Sequence, residues 1–516
     1  AGRLSAFISL SLATDATNHE FNNAMVVLQG KLVKTTLPLT LFDKFVASID
    51  NLENVIESDD LLKEYRFMLL ETKAQSIHLL SDEEEVLAAE LNQSGGSLFT
   101  KLQTDLTSTL EVDYNGEIIN LSKVRNLAYV DDAKVRKDAY QAELASYKKI
   151  AKATSFALNG IKKEVITISK KRKFASPLER TLENSRINND VLDALLTAMK
   201  EYLPEFRKYL RRKGEVLGHN NGLPFYDLFA PMGSNNKKYS IEEAQAFITK
   251  NFATFSDDLK ALAVRAFTEY WIDYEPRPGK RGGAFCSRLY SIDGGIGDIC
   301  TLAHELGHAY HNSVVFNERL LNSNYPMPIA ETASILCETI VKKAAFNEAT
   351  SNDEKLGMLE QELQDSTQVI VDILSRFIFE SNVFERCQNE FLNENTLNNL
   401  MLEAQKEAYG DGLDPNFLNE GMWINKGHYY STSRSFYNFP YAFGLLFAKG
   451  IYGKYVEKGP AFVDDLVTLL RLTGKATLMD VAKSIDIDIT TPDFWRSSLE
   501  VIKEDINLFM ELTKKA

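Results

Sequence analysis

Helical signals dominate the pattern of apolar and polar positions along this chain. An apolar-periodic run opens at Val191, with Asn189 or Asp190 placed to cap it, and Pro204 is expected to kink or divide it. Ser81 and Glu84 are spaced as a capping box before a helix that should stop near Gly95 and Gly96. Ser240 and Glu243 repeat that arrangement. Thr491 and Pro492 start a last helix with proline at its first position, and Lys514 and Lys515 lie at its negative end. No repeat of fixed period and no Gly/Ser linker interrupts the chain. A soft boundary falls near Lys162 to Pro177, dividing an N-terminal helical part, residues 1–165, from a larger part, residues 166–516. The basic run Lys170 to Lys173 at that boundary is expected to be a solvated surface turn.

One segment departs from the helical pattern. Residues Gly279 to Ser291 predict a short extended piece, and a glycine-rich turn, Asp293 to Gly297, follows it. Such glycines permit close approach of another backbone. The piece is either a strand edge that pairs with an extended peptide or a tight turn entering the next helix, and the pattern alone leaves both open.

Composition narrows the class. Of 516 residues 44% are hydrophobic and 25% charged, which excludes a mainly disordered chain. The 27 glycines and 13 prolines fall below the usual combined share of roughly 12%, which argues against a turn-rich all-β fold. A net charge of −14 offers no broad basic face, so nucleic acid is not an expected partner. The longest apolar stretch, Phe436 to Ala448, is too short to span a bilayer and contains Asn438 and Pro440, so no membrane partner is expected either. Residues Ala1 to Ala13 are too weakly apolar for a signal peptide. The chain does not begin with methionine, and further N-terminal sequence is expected. Cys286, Cys300, Cys337 and Cys387 form no CxxC pair, which suits a reducing compartment, the cytoplasm.

The helix after the glycine turn carries the chemistry. His304 and His308 are four residues apart, on one helical face, where two imidazoles can ligate one zinc ion. Glu305, the next residue, can reach a water on that metal, completing HExxH. Zinc needs a third protein ligand and an open position. Glu331 is the downstream candidate: Pro328 can begin a helix and place Glu331 in its first turn. Glu338, seven residues on, shares a face with Glu331 and suits the orienting of a histidine ligand; His311 adds a third histidine to the same helix. His19, His78 and His219 are expected to be structural or on the surface. His428 instead opens the run Gly427 to Gly444, rich in tyrosines, which is either a set of oxyanion donors or packed core.

Four segments together resemble the oligoendopeptidase F branch of the thimet oligopeptidase family of zinc metallopeptidases. They are GKRGGAF at Gly279 to Phe285, TLAHELGHAYH at Thr301 to His311, AETAS at Ala330 to Ser334, and the GHYY…FYNFPYAFG run at Gly427 to Gly444. The stretch Leu91 to Leu110 is similar to that branch's N-terminal domain. The resemblance implies zinc ligands His304, His308 and Glu331, and Glu305 as the base for attack by a zinc-bound water. It implies that His428, Tyr437 and Tyr441 face the substrate carbonyl, that Gly282, Gly283, Ala284 and Phe285 hold the peptide backbone as an edge strand, and that Tyr430 touches substrate. Phe439 stands where the family often has a third tyrosine. The implied fold is mostly α: a two-lobed helical ellipsoid with a deep channel and a small β-sheet beside the HExxH helix. The 166–516 part is then catalytic, and the substrates are short unstructured peptides cut at internal bonds. Two rival readings are weak. A dipeptidyl carboxypeptidase needs a carboxylate clamp, for which Arg434 is the candidate; a di-iron bundle needs a second ExxH, which the sequence lacks.

Overall fold

The computed structural model describes residues 2–234, 237–274 and 295–514. Helices make up most of it, and their ends follow local side-chain chemistry. Ser81 accepts from the Glu84 amide while the Glu84 carboxylate accepts from the Ser81 amide, opening Asp82–Ser94. The Ser240 and Glu243 box opens Ile241–Phe255 in the same way. The helix Asn189–Val216 is capped one residue earlier than expected, by Asn188, whose side chain accepts from the Val191 amide. Pro204 does not divide this helix. Phe206, Tyr209 and Leu210 continue its buried face beyond the proline, and Tyr209 packs edge-on against Phe509 of Pro492–Leu512. Tertiary packing therefore outweighs the local penalty.

The basic run at Lys170 to Lys173 is only partly a solvated turn. It ends the helix Ala151–Lys171, and Arg172 makes a bidentate pair with Glu85 at 2.7 and 2.6 Å. The 165/166 division expected from sequence falls within this same helix.

The chain folds into two compact units, each assembled from distant segments. The first comprises Ala1–Ile77, Asn235–Ala349 and Ile451–Ile487. Its centre is the helix Ile296–Val315, which buries Ile299, Leu302, Ala303 and Leu306 and packs on Thr332–Glu348, Asp257–Thr268 and Phe462–Leu472. A separate small core of Val46, Leu52, Ile56 and Leu69 holds helices near the start of the chain.

The second unit comprises His78–Ser234, Thr350–Gly450 and Asp488–Ala516. It contains the one strand pair among the described residues, Glu111–Tyr114 antiparallel to Glu117–Asn120. Asn115 and Gly116, both at positive φ, make the two-residue turn. This hairpin packs on Ala133–Tyr147 and belongs to the second unit, whereas the HExxH helix belongs to the first. The sheet expected at that helix would involve residues 279–291, which lie outside the described residues. Two buried ion pairs tie helices of the second unit together, Lys213 to Glu360 at 2.5 Å and Lys162 to Glu380 at 2.6 Å. Among the described residues no helix is long and apolar enough to cross a membrane.

Candidate metal centre

The apolar stripe of Ile296–Val315 faces its neighbours and leaves His304, Glu305 and His308 half-buried on the opposite side. Gly307 sets how near the next helix can come. A Cβ there would lie 2.5 Å from both the Ala333 carbonyl oxygen and the Ser334 Cα, so the two backbones meet only because this position has no side chain. Gly307→Ala is expected to push Ile296–Val315 from Thr332–Glu348 and to destabilise the protein by about 1–3 kcal/mol. Metal affinity should fall with it, because the candidate ligands His304, His308 and Glu331 straddle that contact. Unchanged melting temperature and metal affinity in the variant would contradict this account.

Glu331 lies at the break between the short helix Met327–Ala330 and Thr332–Glu348, rather than in a first turn as the sequence suggested. The break turns its carboxylate towards the histidines, and Ser334 Oγ donates to its Oε2 at 2.9 Å. That same Oε2 lies 3.2 Å from His304 Nε2 and 3.4 Å from His308 Nε2. The three ligand atoms all lie within 4.8 Å of one another. Two donors bonded at about 2.05 Å to one tetrahedral ion lie roughly 3.3 Å apart. The two separations from Glu331 match that figure, so the residues present fit a small tetrahedral cation.

The field at the cluster also favours a cation. Burial opposes a charge on His304, but hydrogen bonds to Glu331 and Glu338 outweigh it and raise its pKa to about 10. Against its own burial, Glu331 is held well below the usual carboxylate range by its contacts with both histidines. His304 Nδ1 lies 2.9 Å from Glu338 Oε2, and the other oxygen of Glu338 pairs with Lys342 at 2.7 Å. Donation from Nδ1 to Glu338 would fix the ring, and a metal at Nε2 would take the place of the proton on that nitrogen. Glu305 differs from both of these carboxylates. Its Oε2 is buried with no hydrogen-bond partner among the described residues, and burial raises its pKa.

His311 does not join this cluster. It is fully buried, stacks on Tyr325 at 4.0 Å and meets Thr473 Oγ1 at 3.0 Å through Nε2. Burial presses its pKa down to about 3, so it is a neutral packing and hydrogen-bonding residue of the first unit.

In the second unit, His428 sits on the turn Gly427–Tyr429, its ring 4.9 Å from that of Tyr437. Tyr437 in turn meets Tyr441 edge-on at 5.8 Å, so these three expected residues do gather. Burial, then Arg376 and Lys426, lower the pKa of His428, against a hydrogen bond with Asn438 that raises it. Tyr430 departs from expectation: its side chain is fully buried, without surface to offer a substrate. Arg434, the candidate carboxylate clamp, instead lies over the Tyr437 ring at 5.3 Å. Gly282 to Phe285 lie outside the described residues.

Sequence reasoning missed what holds the His428 loop. Gly96 N donates to Glu164 Oε2 at 2.7 Å, Asn92 Nδ2 to Thr432 Oγ1 at 2.9 Å, and Thr100 Oγ1 to the Tyr430 carbonyl at 2.8 Å. A Cβ on Gly96 would lie 2.1 Å from Thr432 Cγ2. The glycine pair at 95 and 96 was a signal, but as a helix stop alone it gave no hint of a partner more than three hundred residues away.

Fold and site together define a mostly helical protein whose HExxH helix carries a candidate metal site. Residues 126–501 match peptidase family M3, and residues 47–111 match a family described as oligopeptidase F. The chain belongs to peptidase family M3, a family of metallopeptidases acting on peptides. Its relatives include oligopeptidase PepF of Bacillus subtilis, 24% identical over 90% of this chain and 72% of the relative. An oligoendopeptidase F homolog of Borreliella burgdorferi is 25% identical over 97% and 87% respectively. Among solved folds, a Chlamydophila abortus chain superposes with a TM-score of 0.86 at 22% identity, covering 98% of this chain and 88% of that one. Oligoendopeptidase-F from Enterococcus faecium gives 0.74 at 18%, covering 99% and 90%.

Proposed function

We propose that this chain is a zinc metallo-oligoendopeptidase that hydrolyses internal bonds of short, unstructured peptides. The observation that carries this reading is one carboxylate oxygen, Glu331 Oε2, set at tetrahedral spacing from two imidazole nitrogens, beside an unengaged Glu305. Two imidazoles and a carboxylate suit zinc with one position left open. Bound by His304, His308 and Glu331, zinc would supply Lewis acidity and a water more acidic by several pKa units.

The remaining steps belong to the chain's own groups. Glu305 takes the proton of the attacking water and later delivers it to the leaving amine; its raised pKa suits both roles. His428, with Tyr437 and Tyr441, supplies hydrogen-bond donors for the carbonyl oxygen as it gains charge. The Gly282 to Phe285 segment holds the substrate backbone by strand pairing, on the strength of its likeness to the family motif. Residues 166–516 hold every group named, and the part before them serves as the N-terminal lobe. The buried thiols Cys300, Cys337 and Cys387 suit the cytoplasm.

Mass spectrometry of an unstructured peptide blocked at both ends tests the reading. Internal cleavage is expected, lost with a chelator and restored by zinc. Cleavage that needs a free terminus would replace it with an exopeptidase, and cleavage indifferent to chelation would remove the metal from the chemistry.

A further inference from the structure

The second unit contains a cavity of about 420 Å³, within the usual size range of small-molecule sites. Arg125, Tyr129, Glu143, Phe229, Asp372 and Lys426 are among the residues lining it. None of the metal ligands, nor His428, Tyr437 or Tyr441, is among them. Part of the wall is the π-helical turn Gln368–Asp372, an irregularity that costs helix regularity and recurs at functional sites.

The charges of this wall are unevenly matched. Glu143 is engaged by Tyr147, whose hydroxyl donates to it at 2.5 Å, and by Arg125 at 3.5 Å. Asp372 is engaged by Arg376 and by the Tyr409 hydroxyl at 3.2 Å. The Lys426 ammonium has no ion pair and no hydrogen bond among the described residues. Enclosure, then repulsion by Arg376, lowers its pKa to about 8; Asp372 and Glu143 attract it and Arg125 repels it. It still carries its proton for much of the time at neutral pH. Aromatic surface completes the cavity: the rings of Tyr129 and Phe229 lie 4.9 Å apart, tilted by 34°.

We propose that this cavity is a binding site for a small monocarboxylate with an aromatic or apolar body, the carboxylate pairing with Lys426 and the body lying on Tyr129 and Phe229. One unmatched ammonium suits a single negative charge. A phosphate dianion would need a second free cation, and the guanidinium of Arg125 is shared with Glu143. The acid could be a free metabolite or the C-terminus of a short peptide, which offer the same group.

Calorimetry on the metal-loaded full chain tests this, with 3-phenylpropionate, its uncharged amide, N-acetylphenylalanine and inorganic phosphate as probes. At least one of the two acids is expected to bind about tenfold or more tighter than the amide, and Lys426→Met should abolish that preference. The tighter of the two acids identifies the source. Lys426→Met without any ligand should melt at the same or a higher temperature, because an unmatched enclosed ammonium is removed. Tyr129→Ala, at a largely exposed side chain, should weaken the aromatic acid severalfold and leave acetate unaffected. Equal binding of acid and amide, acid binding unchanged in Lys426→Met, a lowered melting temperature in that variant, or phosphate binding tighter than either acid would each overturn the proposal.

Discussion

Glu305→Gln is expected to keep the metal and to lose about 10²–10⁴-fold in turnover. The substitution conserves shape and removes the ability to take a proton. Glu305 is no part of the ligand triangle made by His304, His308 and Glu331, so metal affinity should stay within a few-fold of wild type. It is the one carboxylate at the centre with a buried oxygen left unengaged, whereas Glu331 meets both histidines and Glu338 meets His304 and Lys342. Elemental analysis by plasma mass spectrometry, beside peptide cleavage on the same sample, separates the two effects. Wild-type turnover with full metal would take the base role from Glu305. Loss of metal would instead make it a structural support of the ligands.

Glu331→Ala is expected to have the second large effect, yielding folded protein without stoichiometric metal and without turnover. One oxygen of Glu331 faces both histidine nitrogens, so no rearrangement of the other two ligands replaces it. Glu338→Ala makes a graded control. It removes the acceptor of His304 Nδ1 and leaves all three ligand atoms, and should weaken metal binding by about 10–100-fold. Competition against a chelator of known affinity measures both. Stronger metal retention in Glu331→Ala than in Glu338→Ala would reverse their assignments.

The gradation between these carboxylates was partly readable in the chain. Spacing placed Glu338 on one face with Glu331, and in the structure both carboxylates reach His304, Glu331 from the N-cap of Thr332–Glu348 and Glu338 from within that helix. The position of Glu331 in a helix break was not readable, because Pro328 gave only the local signal of a helix start, and the histidines that Glu331 meets lie on another helix more than twenty residues upstream. Tyr430 shows the opposite failure. In sequence it stands among hydroxyl-bearing residues, but its burial is set by neighbours such as Thr100 on a helix 330 residues away.

By itself the sequence determined what depends on neighbours within one or two turns. The capping boxes at Ser81 and Ser240, the proline start of the last helix, and the pairing of His304 with His308 on one face all follow from hydrogen bonds and periodicities spanning three or four residues. Only the tertiary structure decided how segments far apart in the chain meet. The division into two units drawn from interleaved segments, the approach of two helices at Gly307, the convergence on one oxygen of Glu331, and the clasp of Gly96 on Thr432 are of this kind. These depend on packing between surfaces that no local pattern encodes. A residue's own helix fixes which way it points, whereas what it meets is fixed by the summed burial of the whole unit.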